Sequence, residues 1–263
     1  MRVKWSQNFL TDRNIARKIV EGLAIGTHED VLEIGPGKGV LTEILLEQSQ
    51  KVTAVEIDPS LCLYLKSKFD FKKGLSVIQS DFLDFNLEQL SPKNPPGYKV
   101  LGNLPYAVVS PILQKVFAWQ GWSAAEFMVQ KEVADRILAL PGSKAYGILS
   151  ISVQAKCLAQ RLFNVSRGAF RPIPNVDSSV LKFHPLPNPF VGPAEEDVFF
   201  KVVRAAFGQR RKLMANSLAS GLKIPLTKVY AALEMVGLPA KSRAETVPVS
   251  DFMRLPPLLL DDQ

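Results

Sequence analysis

Residues 31–43 read VLEIGPGKGVLTE, and this stretch decides the fold. The apolar run Val31, Leu32 and Ile34 reads as a buried strand. Gly35, Gly37 and Gly39 read as a tight turn, and Val40, Leu41, Ile44 and Leu45 fall on one face of a helix. The same rhythm continues outward. VTAVEI (52–57), LSVIQSD (75–81), YKVLGN (98–103) and AEFMVQ (125–130) read as further strands. Between them DPSLCLYLKSKF (58–69) is a helix with Asp58 as its N-cap, and KEVADRILAL (131–140) follows the fifth strand as another. Strands alternating with helices predict an α/β fold: a parallel sheet with helices on both faces. A further helix is expected over residues 12–23. After residue 150, AKCLAQRLFNV (155–165) and SSVLKFHP (178–185) read as a hairpin closing one edge of the sheet, around FRPIPNVD (170–177). PLPNPFVGPA (185–194) reads as a linker, and the chain from 197 is helical and basic. Two domains are therefore expected, 1–185 and 186–263.

The composition narrows the class. The chain has 263 residues, 47% hydrophobic and 22% charged, which suits a globular protein. No apolar run reaches the roughly 18 residues of a membrane span, and MRVKWSQNFL lacks the apolar core of a secretion signal. No membrane partner is expected. Cys62 and Cys157, with no CxxC spacing, read as free thiols of a cytoplasmic protein. His28 and His184 lie far apart, so no metal site or His-based triad is expected. The net charge is +7. Residues 201–224 contain Lys201, Arg204, Arg210, Arg211, Lys212 and Lys223 without an acid. The first 18 residues carry Arg2, Lys4, Arg13, Arg17 and Lys18 against Asp12. Such clusters are often only solvated faces; two of them in one chain point to phosphate contacts.

Glycines between a strand and a helix let a ligand approach the backbone at the helix N-terminus. The spacing here is not the GxGxxG of dinucleotide binders. Glu56 ends the second strand, where a carboxylate can take both hydroxyls of a ribose. Asp81 ends the third, within reach of an adenine amine. Both positions also suit plain strand-end capping. With GNLPY (102–106) at the end of the fourth strand, the set points to S-adenosylmethionine. An exocyclic adenine amine is a poor nucleophile, and two acceptors that bind its hydrogens let charge build on the nitrogen. The Asn103 side-chain oxygen and the Leu104 carbonyl can be those acceptors. Pro105 would aim the carbonyl and Tyr106 would offer a ring on which a flipped base stacks.

In this order, SQNFLTD (6–12), EIGPGKGVLTE (33–43), VEIDP (55–59), QSD (79–81), GNLPY, FMVQKEVADRI (127–137), FRPIPNVDSSV (170–180) and AFGQRRKLMANSL (206–218) resemble the motifs of the KsgA family of small-subunit rRNA adenine dimethyltransferases. The resemblance implies a Rossmann-like class I methyltransferase with a mostly parallel seven-stranded sheet and a small C-terminal α-helical domain that binds RNA. It implies that Asn8 and Leu10 line the cofactor pocket with Gly35, Gly37, Glu56, Asp81 and Asn103, and that Phe170 stacks on the target adenine opposite Tyr106. The implied reaction is N6,N6-dimethylation of two adjacent adenosines in the 3′-terminal hairpin of 16S rRNA, linked to ribosome biogenesis, by a monomer acting on the small ribosomal subunit. Arg210, Arg211 and Lys212 would contact RNA, as would Lys144 in the flexible loop PGSKAYG (141–147). A large-subunit methyltransferase of the antibiotic-resistance type shares fold and clamp and is the nearest rival; a small-subunit assembly factor with secondary methylation is the rival of another class.

Overall fold

The computed structural model describes residues 8–26, 28–49, 51–90, 97–192, 194–209 and 212–260; the side chain of Tyr106 lies outside that description. In chain order the elements are β1 (Phe9–Leu10), α1 (Arg13–Gly22), β2 (Asp30–Ile34), α2 (Val40–Gln48), β3 (Lys51–Glu56), α3 (Pro59–Lys68), β4 (Leu75–Gln79), β5 (Tyr98–Asn103), α4 (Val109–Ala118), β6 (Trp122–Gln130) and α5 (Lys131–Ile137). There follow α6 (Ile148–Gln154), β7 (Cys157–Val165), β8 (Phe170–Arg171), β9 (Ser178–Pro185), α7 (Glu196–Phe207), α8 (Met214–Leu222), α9 (Leu226–Val236), α10 (Val249–Arg254) and α11 (Pro256–Leu259). The chain divides into two compact units, Met1–Ala134 with Ala159–Pro185, and Asp135–Leu158 with Leu186–Gln263.

The first unit holds a seven-stranded sheet in the order β4-β3-β2-β5-β6-β9-β7. β2 through β6 pair in parallel and β9 runs antiparallel to β6. Helix starts follow local chemistry. Asp12 caps α1 by accepting from the Asn14 and Ile15 amides at 2.9 and 3.1 Å. Asp58 caps α3 by accepting from the Ser60 amide at 2.8 Å, with Pro59 in the first turn. α1 buries Ala16, Ile19 and Val20 in a core shared with Ile44, Leu101 and Val180. A second, two-stranded pairing sets Leu10 opposite Phe170 and Phe9 opposite Arg171.

Glu33, Leu101, Glu126 and Lys182 sit at one register level across β2, β5, β6 and β9. Glu126 is 1% exposed, and neither carboxylate oxygen has a hydrogen-bond partner among the described residues. Burial pushes its carboxyl up to about 8, against the pull of Lys182 and Lys99. Those cations are committed elsewhere: Lys182 donates to the Gly22 carbonyl at 2.6 Å, and Lys99 lies 3.5 Å from Glu29.

The second unit is helical, with Phe199, Phe200, Val203, Met214, Leu218 and Phe252 at its centre. It also takes residues 135–158, which the sequence division places in the first domain. The reason is packing: Ile151 and Ala155 join the Phe199 cluster, and Lys156 pairs with Glu196 at 2.6 Å. The expected linker at 185–194 is docked rather than free. Leu186 and Phe190 donate backbone hydrogen bonds to the carbonyls of Lys156 and Ala155 at 3.0 and 2.9 Å, and Val191 is buried. The helix expected to reach residue 140 ends at Ile137, where Gln154 Nε2 donates to the carbonyls of Ile137 and Ala139. The loop 141–147 is pinned rather than loose: the Gly142 amide donates to the Glu245 carbonyl at 2.6 Å and the Tyr146 hydroxyl to the Val247 carbonyl at 3.0 Å.

Candidate active site

Because the strands are parallel, the ends of β2, β3, β4 and β5 share one edge of the sheet, the edge where open α/β folds bind ligands. Ile34 pairs with Gly102, so Gly35 and Asn103 leave adjacent strands side by side. Glu56 pairs with Gln79, so Glu56 and Asp81 stand close behind. Gly102 opens the GNLPY stretch, and the structure gives it a role of its own. A Cβ there would lie 2.6 Å from the Ile34 carbonyl oxygen, so only glycine lets β5 pass β2 at this point. A glycine inside an apolar strand was the available signal.

The glycine loop has three left-handed residues, Gly35, Gly37 and Gly39, with φ of 65°, 57° and 76°. Their surroundings differ. A Cβ at Gly37 would meet the Phe9 ring at 3.0 Å, and one at Gly39 would meet Leu65 and Phe69 at 2.7 and 2.8 Å. At Gly35 a Cβ would meet nothing within 4 Å. Gly35 is the member of the loop that opens onto space.

Glu56 is buried, and backbone amides grip both of its oxygens: Gly37 donates to Oε2 at 3.1 Å and Asp58 to Oε1 at 3.0 Å. A carboxylate offers about four lone-pair sites, so each oxygen keeps one for a ligand. Asp81 is half-buried; its Oδ1 accepts from the Leu83 amide at 2.8 Å, which fixes the group and leaves Oδ2. Both acids therefore cap local backbone and also face the ligand edge. Glu33, just before the loop, was not anticipated as part of the site. Thr42 donates to its Oε2 at 2.6 Å, its Oε1 has no partner among the described residues, and burial pushes the carboxyl up to about 7.

Asn103 donates from Nδ2 to the Asn8 carbonyl at 3.1 Å. That bond orients the amide and turns the acceptor, Oδ1, the other way. The next residue, Leu104, is buried and held by its own amide, which donates to the Met128 carbonyl at 3.0 Å. Pro105, at φ −61°, ψ 134°, passes the chain into the turn Tyr106–Val108. The Asn8 carbonyl lies immediately before β1, whose pairing with β8 holds this segment in place, reinforced by Thr11 donating through both amide and hydroxyl to the Ala169 carbonyl. The same pairing sets the position of Phe170. Its ring is 1% exposed, packed with Leu10, Leu101 and Val180, and presents no face to a base in this structure. Leu10 is likewise a core side chain. In the second unit Lys144 and Lys212 are exposed. Arg210 and Arg211 lie outside the described residues.

The match that decides the family spans almost the whole chain: residues 1–258 fit the model for ribosomal RNA adenine dimethylase. The chain belongs to that family. It is 39% identical over 254 residues to ribosomal RNA small subunit methyltransferase A of Caldanaerobacter subterraneus subsp. tengcongensis, covering 96% of this chain and 94% of that protein. It is 40% identical over 252 residues to the protein of the same name from Geobacter sulfurreducens, covering 95% and 91%. Among solved structures it resembles a dimethyladenosine transferase from Plasmodium falciparum, with TM-score 0.80, 27% identity and coverage of 94% and 95%. It also resembles the 23S rRNA methyltransferase ErmE, with TM-score 0.70, 27% identity and coverage of 96% and 99%. Membership of an adenine dimethylase family implies an S-adenosylmethionine-type methyl donor. The open space at Gly35, the gripped carboxylate of Glu56 and the spare oxygen of Asp81 fit one. Among the described residues no helix is long and apolar enough to cross a membrane.

Proposed function

We propose that the chain uses S-adenosylmethionine to dimethylate N6 of two adjacent adenosines in the 3′-terminal hairpin of 16S rRNA, acting as a cytoplasmic monomer on the small ribosomal subunit. The observation that carries this reading is the Asn103 amide, turned by the Asn8 carbonyl so that an acceptor faces away beside the buried Leu104. S-adenosylmethionine, when bound, supplies a methyl on a positively charged sulfur, a leaving group already activated. The Gly35 backbone would admit it, Glu56 would take the ribose hydroxyls and Asp81 the adenine amine. Asn103 Oδ1 and the Leu104 carbonyl would accept the two hydrogens of the target amine as charge develops on nitrogen, so no strong base is needed. Pro105 sets the direction of the chain into Tyr106, whose ring would stack on the flipped base. Phe170 supports this site from the core, under β1. The helical unit, with Lys212 and Lys144 exposed, would contact rRNA.

The likeness to ErmE sets the test. Labelled S-adenosylmethionine is offered with unmethylated small or large subunits, and the RNA product is analysed as nucleosides. Dimethyladenosine in small-subunit RNA alone is the expected result. Label in the large subunit would contradict the substrate assignment, and no label in either, despite cofactor binding, would favour an assembly factor.

A further inference from the structure

The second unit has a cleft of about 450 Å³ between α7 and α8, lined in part by Lys201, Arg204, Gln209, Ser217 and Ser220. Gly221 forms its floor: a Cβ there would lie 2.8 Å from the Ala205 Cβ, so glycine lets the two helices close together. Lys201 and Arg204 stand one turn apart on α7, both exposed, and neither has an ion pair among the described residues. Across the cleft, Gln209 Nε2 donates to Ser220 Oγ at 3.3 Å, and Ser217 Oγ donates to the Gln209 carbonyl at 3.4 Å. The Ser220 hydroxyl thus keeps its own proton to give. Among the described residues no carboxylate lines the cleft, and residues 198–233 contain no Asp or Glu. Every charged group it offers is a donor, which selects an anion bearing several oxygens.

We propose that this cleft seats a backbone phosphate of the RNA, with Lys201 and Arg204 as its cations and Ser220 as a neutral donor. The proposal rests on the reading of the chain as an rRNA enzyme and extends its RNA surface beyond residues 210–212. A polynucleotide suits the cleft better than a free phosphate. The site is open and its cations are hydrated, so one small anion gains little there, whereas a polyanion releases counterions at every contact.

The test is equilibrium binding to small-subunit rRNA across a potassium chloride series, for the wild type and Lys201→Gln/Arg204→Gln. Loss of the one phosphate that both cations neutralise should lower the slope of log affinity against log salt by about 0.8. S-adenosylmethionine affinity and the thermal midpoint should not change. Ser220→Ala should weaken binding and leave the slope alone. The single variants, each expected to remove about half of the slope change, serve if the double variant unfolds. A wild type that binds RNA and a variant with the same slope would overturn the cleft while leaving the function intact. A wild type that binds no RNA would overturn the underlying reading as well. Thermal stabilisation by inorganic phosphate that depends on Lys201 and Arg204, with an unchanged RNA slope, would make the cleft a free-anion site and overturn the proposal.

Discussion

The two units handle charge in opposite ways. At the sheet edge, polar groups are buried or half-buried and held. Two backbone amides grip Glu56, a turn amide fixes Asp81, and the Asn8 carbonyl orients Asn103. In the helical unit Lys201, Arg204 and Lys212 are exposed on an acid-free stretch. Chemistry on an amine requires acceptors fixed to fractions of an ångström, so their orientation is set before substrate arrives. Holding a polyanion requires a summed field and reach, which exposed cations supply without fixed geometry. Substitutions in the first region should therefore give large effects insensitive to salt, and those in the second small effects that follow ionic strength.

The largest effect is expected at the clamp. Asn103→Ala should lower turnover by roughly 10²–10³-fold, as loss of one preorganised hydrogen-bonding group does, and leave S-adenosylmethionine affinity intact in a calorimetric titration. Next comes the buried acid that the chemistry does not use. The Glu126 carboxyl is raised from the ordinary glutamate range to about 8 in the fold. Folding is then helped by a proton that the unfolded chain gives up, so stability is lost as pH climbs from the unfolded value through about 8. Glu126→Gln should stabilise the chain by roughly 2–4 kcal/mol at pH above 8 and by nothing near pH 4, as measured by urea unfolding at the two extremes. A smaller effect belongs to Glu56→Gln, expected to weaken S-adenosylmethionine binding by about 10–100-fold through loss of a charged acceptor, with little dependence on salt. The smallest is Lys212→Gln, expected to reduce the salt slope of RNA binding by about 0.8 with turnover at saturation unchanged.

How far the sequence could be read also differs between the regions. The strand, glycine loop and helix at 31–43 were legible because periodicity and glycine placement are local properties. The position of Asn103 at a strand end followed from the same pattern. Partners set by distant pairing were not legible. Phe170 reads as an available aromatic, yet its register opposite Leu10 puts the ring in the core. Asn8 reads as a pocket residue, yet its backbone carbonyl is what orients Asn103. Residues 135–158 follow the sheet in sequence and pack with the helices, because Ile151 and Ala155 find their apolar neighbours on α7. The proline-rich stretch at 185–194 looks unstructured by composition, but the amides of Leu186 and Phe190 are spent on Lys156 and Ala155.

Single-turnover methyl transfer to small subunits, measured across a salt series at saturating and limiting subunit, tests the division of labour most directly. Wild type, Asn103→Ala and Lys201→Gln/Arg204→Gln would be compared. Asn103→Ala should be slow at every salt and every subunit concentration. The double variant should match wild type at saturation and fall behind only at limiting subunit, by most at low salt and by less as salt rises. An Asn103→Ala enzyme that recovers wild-type rate at saturation would contradict the clamp, since Asn103 would then serve binding rather than chemistry.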